Sequence, residues 1–102
     1  MPALLDLVKQ YLDITWTDTA TEKKLNLMIN NAIADLDEKS GMKNDYTQSG
    51  RAQTLLLTRV MYEWSNALDD FYVNYKSEIV AFINKARVLN AKSKTNEWKW
   101  NI

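Results

Sequence analysis

The chain lacks cysteine and histidine altogether, and among its 102 residues it has only two glycines and one proline. Without cysteine, no disulfide can brace a small core, and the redox compartment leaves no mark on the sequence. Structural zinc sites draw on Cys and His, so the composition speaks against one. The commonest general base is missing as well. So little glycine and proline argues against folds built on tight turns, such as a sandwich or a small barrel, and favours long helices. No run approaches the roughly 20 apolar residues of a membrane span. The opening "MPALLDLVKQYLDI" has neither a basic start nor a long apolar stretch, so it does not read as a signal peptide, and a cytoplasmic product is expected.

What is present fits one globular domain. Hydrophobic residues make up 46% of the chain, an ordinary share. A chain of this length buries roughly 60–65% of its unfolded surface, so the core is modest. Net charge is zero but unevenly placed. From Lys85 onward the chain carries +4 (Lys85, Arg87, Lys92, Lys94 and Lys99 against Glu97), which leaves −4 before it. Two readings stand: cations complementing the dipole at a helix C-terminus, or a basic end that meets an acidic surface.

The periodicity predicts an all-α domain of four helices, the first short and the third long and central, followed by an extended C-terminal tail. Residues 1–91 form the helical domain and residues 92–102 the tail. Leu4, Leu5, Leu7, Val8, Tyr11 and Leu12 have helical spacing, and Pro2 suits a first helical turn, giving a helix over about 2–12. The second helix runs from a start near Thr19 to about Lys39. Thr19 with Glu22 has capping-box spacing, and Asp18 and Thr17 are rival caps. Its apolar stripe is Leu25, Met28, Ile29, Ala32, Ile33 and Leu36, and Gly41 can adopt the left-handed conformation that ends a helix. In the polar loop that follows, Met42 and Tyr46 are placed to fold back over the core. The long third segment, "SGRAQTLLLTRVMYEWSNALDDFYVNY", carries a broad face of Ala52, Leu55, Leu56, Val60, Ala67, Leu68 and Phe71. A second face consists of Leu57, Met61 and Trp64. A helix apolar on two sides is buried from two directions: it is either the central helix or one that meets another subunit. Asn74 is a plausible cap for a fourth helix whose buried candidates are Ile79, Val80, Phe82, Ile83 and Ala86. After Asn90 the helical pattern stops, and Trp98, Trp100 and Ile102 alternate with Lys99 and Asn101, a strand rhythm.

Chemistry finds little support. The neighbouring carboxylates Asp35 and Asp37, and Asp69 and Asp70, do not share a helix face at those separations. Ser and Thr have no histidine partner, and no glycine-rich phosphate loop exists. Arg59, Tyr62 and Asn66 form a polar stripe on the third helix. Such a stripe can be an active site, but more often it satisfies a neighbouring loop's polar groups or forms an interface. Catalytic, cofactor and metal residues are therefore expected to be none. Neutral charge and the lack of a basic recognition helix weigh against direct nucleic-acid binding.

Taken together, "LLDLVKQYLDI", the Thr/Asp-rich connector, "LNLMINNAIADLDEKSG" and "YEWSNALDDFYVNYKSEI" resemble the head–tail connector (adaptor) proteins of tailed bacteriophages. The matching positions are Tyr11, Leu12, Ile14, Ala32, Gly41 and Tyr62. The string Asn66, Ala67, Phe71, Asn74 and Tyr75 is similar to the subset found in phages and prophages of Gram-positive bacteria. The resemblance covers roughly residues 4–85. It implies a non-enzymatic virion protein, made in the host cytoplasm, that forms a ring beneath the portal protein. The ring extends the DNA channel and docks the next connector or tail-completion protein. No membrane and no sequence-specific nucleic acid are expected as partners, although DNA passes through such a ring. Trp64, Met61, Leu57, Trp98, Trp100, Ile102, Lys92, Lys94 and Lys99 are the interface candidates. For the tail, fold-back onto its own domain and docking on a portal or neighbouring subunit both remain open. The rival function is a small helical regulatory or nucleic-acid-binding protein.

Overall fold

The computed structural model describes the backbone of residues 2–100 and the side chains of residues 4–89. Among the described residues there are five helices and no strand: α1 (Pro2–Tyr11), α2 (Thr19–Ser40), α3 (Arg51–Trp64), α4 (Leu68–Asn74) and α5 (Lys76–Trp100). α1 and α2 fall where the periodicity predicts them. At the start of α2, Asp18 is the cap: its carboxylate accepts from the Thr21 amide at 3.2 Å and the Thr21 hydroxyl at 2.9 Å, satisfying a donor that a helix start leaves free.

The long third helix is in fact two. α3 stops because Asn66 takes a left-handed conformation, φ +58°. The Asn66 amide bonds the Glu63 carbonyl at 3.0 Å, and the Ala67 amide reaches back to Tyr62 at 2.7 Å. This paired closure is a Schellman motif with asparagine in the place glycine usually takes. The turn swings α4 back so that Phe71 is fully buried. α1 ends in the same way with Asp13 left-handed at φ +58°. Its amide bonds Gln10 at 3.2 Å, and the Ile14 amide bonds Lys9 at 2.8 Å. Ile14 is then buried beside Val8 in the core. Gly41, φ +72°, closes α2 as expected.

Three further expectations are corrected. Asn74 does not cap the last helix: it is the final residue of α4, and its amide donates to the Tyr62 hydroxyl at 3.3 Å. Val80 is exposed, one position off the buried line of Ile79, Phe82 and Ala86. The backbone beyond Asn90 is helical to Trp100 rather than extended. No glycine or proline follows Gly50 to stop α5, and once a helix is nucleated each added residue gains a hydrogen bond. The side chains of Lys92, Lys94, Trp98, Lys99 and Trp100, and Ile102 altogether, lie outside the described residues.

The core draws on every helix: Leu4 and Val8, then Leu25, Ile29, Ala32 and Leu36, then Leu55, Leu56 and Val60, then Phe71, Ile79 and Phe82. Tyr46 from the loop is buried with them, as its placement predicts, while Met42 is only partly covered. α5 runs antiparallel to α3. Its first turns lie near the C-terminal end of α3, where the Tyr75 and Tyr62 rings sit 5.9 Å apart. Phe82, Ala86 and Leu89 lie across from Arg51 and Ala52 at the N-terminal end of α3. Residues 90–100 then continue for about 16 Å past that end, in a molecule whose longest dimension is 58 Å.

Candidate functional site

The most concentrated polar group ties α2, α3 and α4 together. Arg59 is buried, with 6% of its surface exposed. Its Nε donates to Asp35 Oδ2 and to the Tyr72 hydroxyl, both at 3.2 Å, and the Tyr72 hydroxyl donates to the same Asp35 oxygen at 2.8 Å. Lys39 Nζ holds the other carboxylate oxygen and lies 5.2 Å from the centre of the Tyr72 ring. Burial pushes the Asp35 carboxyl up, but the hydrogen bonds from Lys39 and Tyr72 and the two cationic charges outweigh it, leaving it below its ordinary value. The Tyr72 hydroxyl is pushed up, by burial first and then by Asp35. Both groups thus move away from neutrality, the opposite of what general acid–base work at neutral pH needs. The cluster is a tie between helices.

The stripe of Arg59, Tyr62 and Asn66 does not converge. Arg59 belongs to the tie. Tyr62 packs against Phe71 and Tyr75, with ring centres 6.0 and 5.9 Å away. Asn66 turns the chain. Arg59 Nη1 and Glu63 Oε2 face each other at 3.9 Å, both buried and without a hydrogen bond among the described residues.

Asp37 anchors the loop instead. It accepts from the Asn44 amide nitrogen at 3.2 Å, the Asn44 side chain at 2.9 Å and the Tyr46 hydroxyl at 2.6 Å. Burial, then the Asp37 contact, pushes the Tyr46 hydroxyl well above its ordinary value. Asp35 and Asp37 serve different neighbours, as their spacing predicts. Asp69 and Asp70 are exposed in the first turn of α4. With Glu63, Asn66, Ala67 and Leu68 they line an open hollow of about 440 Å³.

Of the interface candidates within the described side chains, Leu57 is buried in the chain's own core, and Met61 and Trp64 are partly buried. Lys24 Nζ sits 5.3 Å from the centre of the Trp64 ring. The second face of α3 is therefore largely closed by the chain itself. The apolar side chains that do reach solvent are Tyr11, Trp16, Leu27, Val73, Val80, Val88 and Leu89. Periodicity misses most of these because they lie off the buried stripes or, for Trp16, in a connector. A groove of about 250 Å³ opens between the loop after α2 and α5, with Met42, Ala52, Phe82, Ala86 and Leu89 among its lining residues. Among the described residues no three His, Cys, Asp or Glu side chains converge as a metal site would require. Among those residues, too, no helix is long and apolar enough to cross a membrane. The arrangement is that of an all-helical scaffold whose buried polar groups are mostly engaged with one another. No protein-family model, no curated protein and no solved structure matches the chain.

Proposed function

We propose that this chain is a non-enzymatic structural subunit of a bacteriophage head–tail connector, set in a ring beneath the portal protein. In that place the ring extends the DNA channel and receives the next connector or tail-completion protein. The order of sequence segments that resembles this family is the first support. The observation that carries the reading is a contrast within the fold. The polar clusters are closed inward as ties between helices, while large apolar side chains stand exposed on α2, α4 and α5 (Leu27, Val73, Val80, Val88, Leu89). Such a distribution suits a protein that acts through surfaces rather than through a pocket.

The test is co-expression of the full chain with a panel of tailed-phage portal proteins, followed by electron microscopy of whatever complex co-purifies. A ring of this chain on the portal is expected. Failure to bind any portal assembly, together with salt-sensitive retention on DNA, would replace this reading with that of a small nucleic-acid-binding protein.

A further inference from the structure

The chain has one apolar side chain that projects and one apolar groove that recedes, and the charges around them are opposite. Trp16 stands in the connector of residues 12–18 between α1 and α2, with 51% of its surface exposed. It does not fasten the connector, because Ile14 already does so from inside the core. The same connector carries Asp13 and Asp18 and no basic residue. Both aspartates are exposed and take part in no ion pair among the described residues. The groove between the loop after α2 and α5 is the receding surface. Met42, Ala52, Phe82, Ala86 and Leu89 give it an apolar lining, and Arg51 and Lys85 are its cations. These two are exposed as well and form no ion pair among the described residues. The carboxylate that lines the groove, Asp45, is engaged by the Thr47 amide at 2.9 Å, so the lining is net positive. The groove measures about 250 Å³. An apolar cavity of about 150 Å³ already takes a benzene ring, so an indole has room.

We infer that Trp16 of one copy inserts into this groove on a second copy of the chain. An indole is apolar except for its N–H, which needs an acceptor when buried, and Asn44 and Gln48 bring side-chain carbonyls to the groove. Asp13 and Asp18, on either side of Trp16, then approach Arg51 and Lys85, so the two surfaces are complementary in charge. They cannot meet within one molecule. The connector precedes the first residue of α2, and the groove begins just after its last. The 22 residues of α2 make a rod of about 33 Å, while the link from Trp16 to Thr19 spans at most about 10 Å. A contact between two different patches is heterologous: repeated, it closes into a ring or runs on as a filament according to the rotation between copies. The inference rests on the connector reading for its setting and names the surfaces by which neighbours in such a ring join.

The absence of cysteine makes the contact open to disulfide trapping, in full-length chains and without a portal. Thr17→Cys puts a thiol beside the indole, and Ser49→Cys puts one on the groove. Both positions are exposed. Under a mild oxidant, a mixture of the two variants should form disulfide-linked dimers about tenfold faster than either variant alone. Adding Trp16→Ala to the first chain should slow that linkage by about tenfold. Adding Arg51→Glu with Lys85→Glu to the second should slow it by a similar factor. Circular dichroism and melting should stay those of the parent in every variant. A mixture that links no faster than the separate variants would overturn the inference, and so would a rate that ignores both Trp16→Ala and the charge reversal. Fast linkage in a protein that binds no portal would leave this contact standing and remove the connector reading. A portal-bound ring that forms undiminished with Trp16→Ala would do the opposite.

Discussion

Asp35 and Arg59 are the residues on which three helices depend. Arg59 is buried, and removing the partly buried Asp35 leaves its guanidinium, among the described residues, only the Glu63 carboxylate as an anionic partner, at 3.9 Å, so Asp35→Ala should cost roughly 3 kcal/mol at neutral pH. A double change to Asp35→Leu with Arg59→Met should cost much less, because it removes both charges and keeps the volume. The Asp35 carboxyl sits below its ordinary value of 3.8 in the folded chain. Its contribution is therefore full above that value and disappears as pH falls through the lower folded value. Urea denaturation across acid pH should show the parent losing stability below about pH 4 and Asp35→Asn losing less over the same range. Packing adds a second contrast. Leu56 is fully buried, so Leu56→Ala should cost about 2–5 kcal/mol. Trp64 is partly exposed and stacked under Lys24, so Trp64→Ala should cost less and act mainly on assembly. Equal losses in denaturation would make Trp64 plain core.

The helices are defined as much by where they stop as by where they start. Gly41, Asp13 and Asn66 all end helices with a positive φ, yet only the glycine is legible as a stop in the sequence. Asp and Asn visit the left-handed region only occasionally, and Asn66 lies in a stretch where apolar spacing continues on both sides. The periodicity of α1, α2 and the first half of α5 could be read directly, because buried faces repeat every three or four residues. The Asp35–Arg59–Tyr72 tie could not, since its members lie far apart in sequence and meet only after the chain turns at Asn66. The strand rhythm of the C-terminal residues was outweighed by helix propagation from a segment without a breaker. Asn66→Ala should therefore destabilise the chain by about 1 kcal/mol, by placing a Cβ without a helpful side chain at a positive φ. Asn66→Gly should match or exceed the parent. If thermal melting ranks alanine equal to glycine, the left-handed turn is not what sets the α3–α4 boundary.

At the scale of the molecule, folding and attachment occupy different parts of the chain. The last residue of the buried core among the described side chains is Ala86, and the net positive charge is concentrated from Lys85 onward. A chain truncated after Asn90 keeps every side chain identified as core, together with the Asp35–Arg59–Tyr72 tie and the Asp37–Tyr46 loop anchor. Loss of surface positions away from such features changes stability by only a few tenths of a kcal/mol, and every residue removed lies beyond Ala86, the last core residue among the described side chains. The truncated chain should accordingly melt as cooperatively as the full one, with stability within about 1 kcal/mol of it. Removing residues 91–102 takes away Lys92, Lys94, Lys99, Trp98 and Trp100, and tryptophan is among the commonest anchors of interfaces. Portal attachment should fall while the helical spectrum per remaining residue is retained. Loss of folding would mean that the residues after Asn90 close back on the bundle and complete its core. Unchanged attachment would mean that the docking surfaces lie wholly within the first ninety residues.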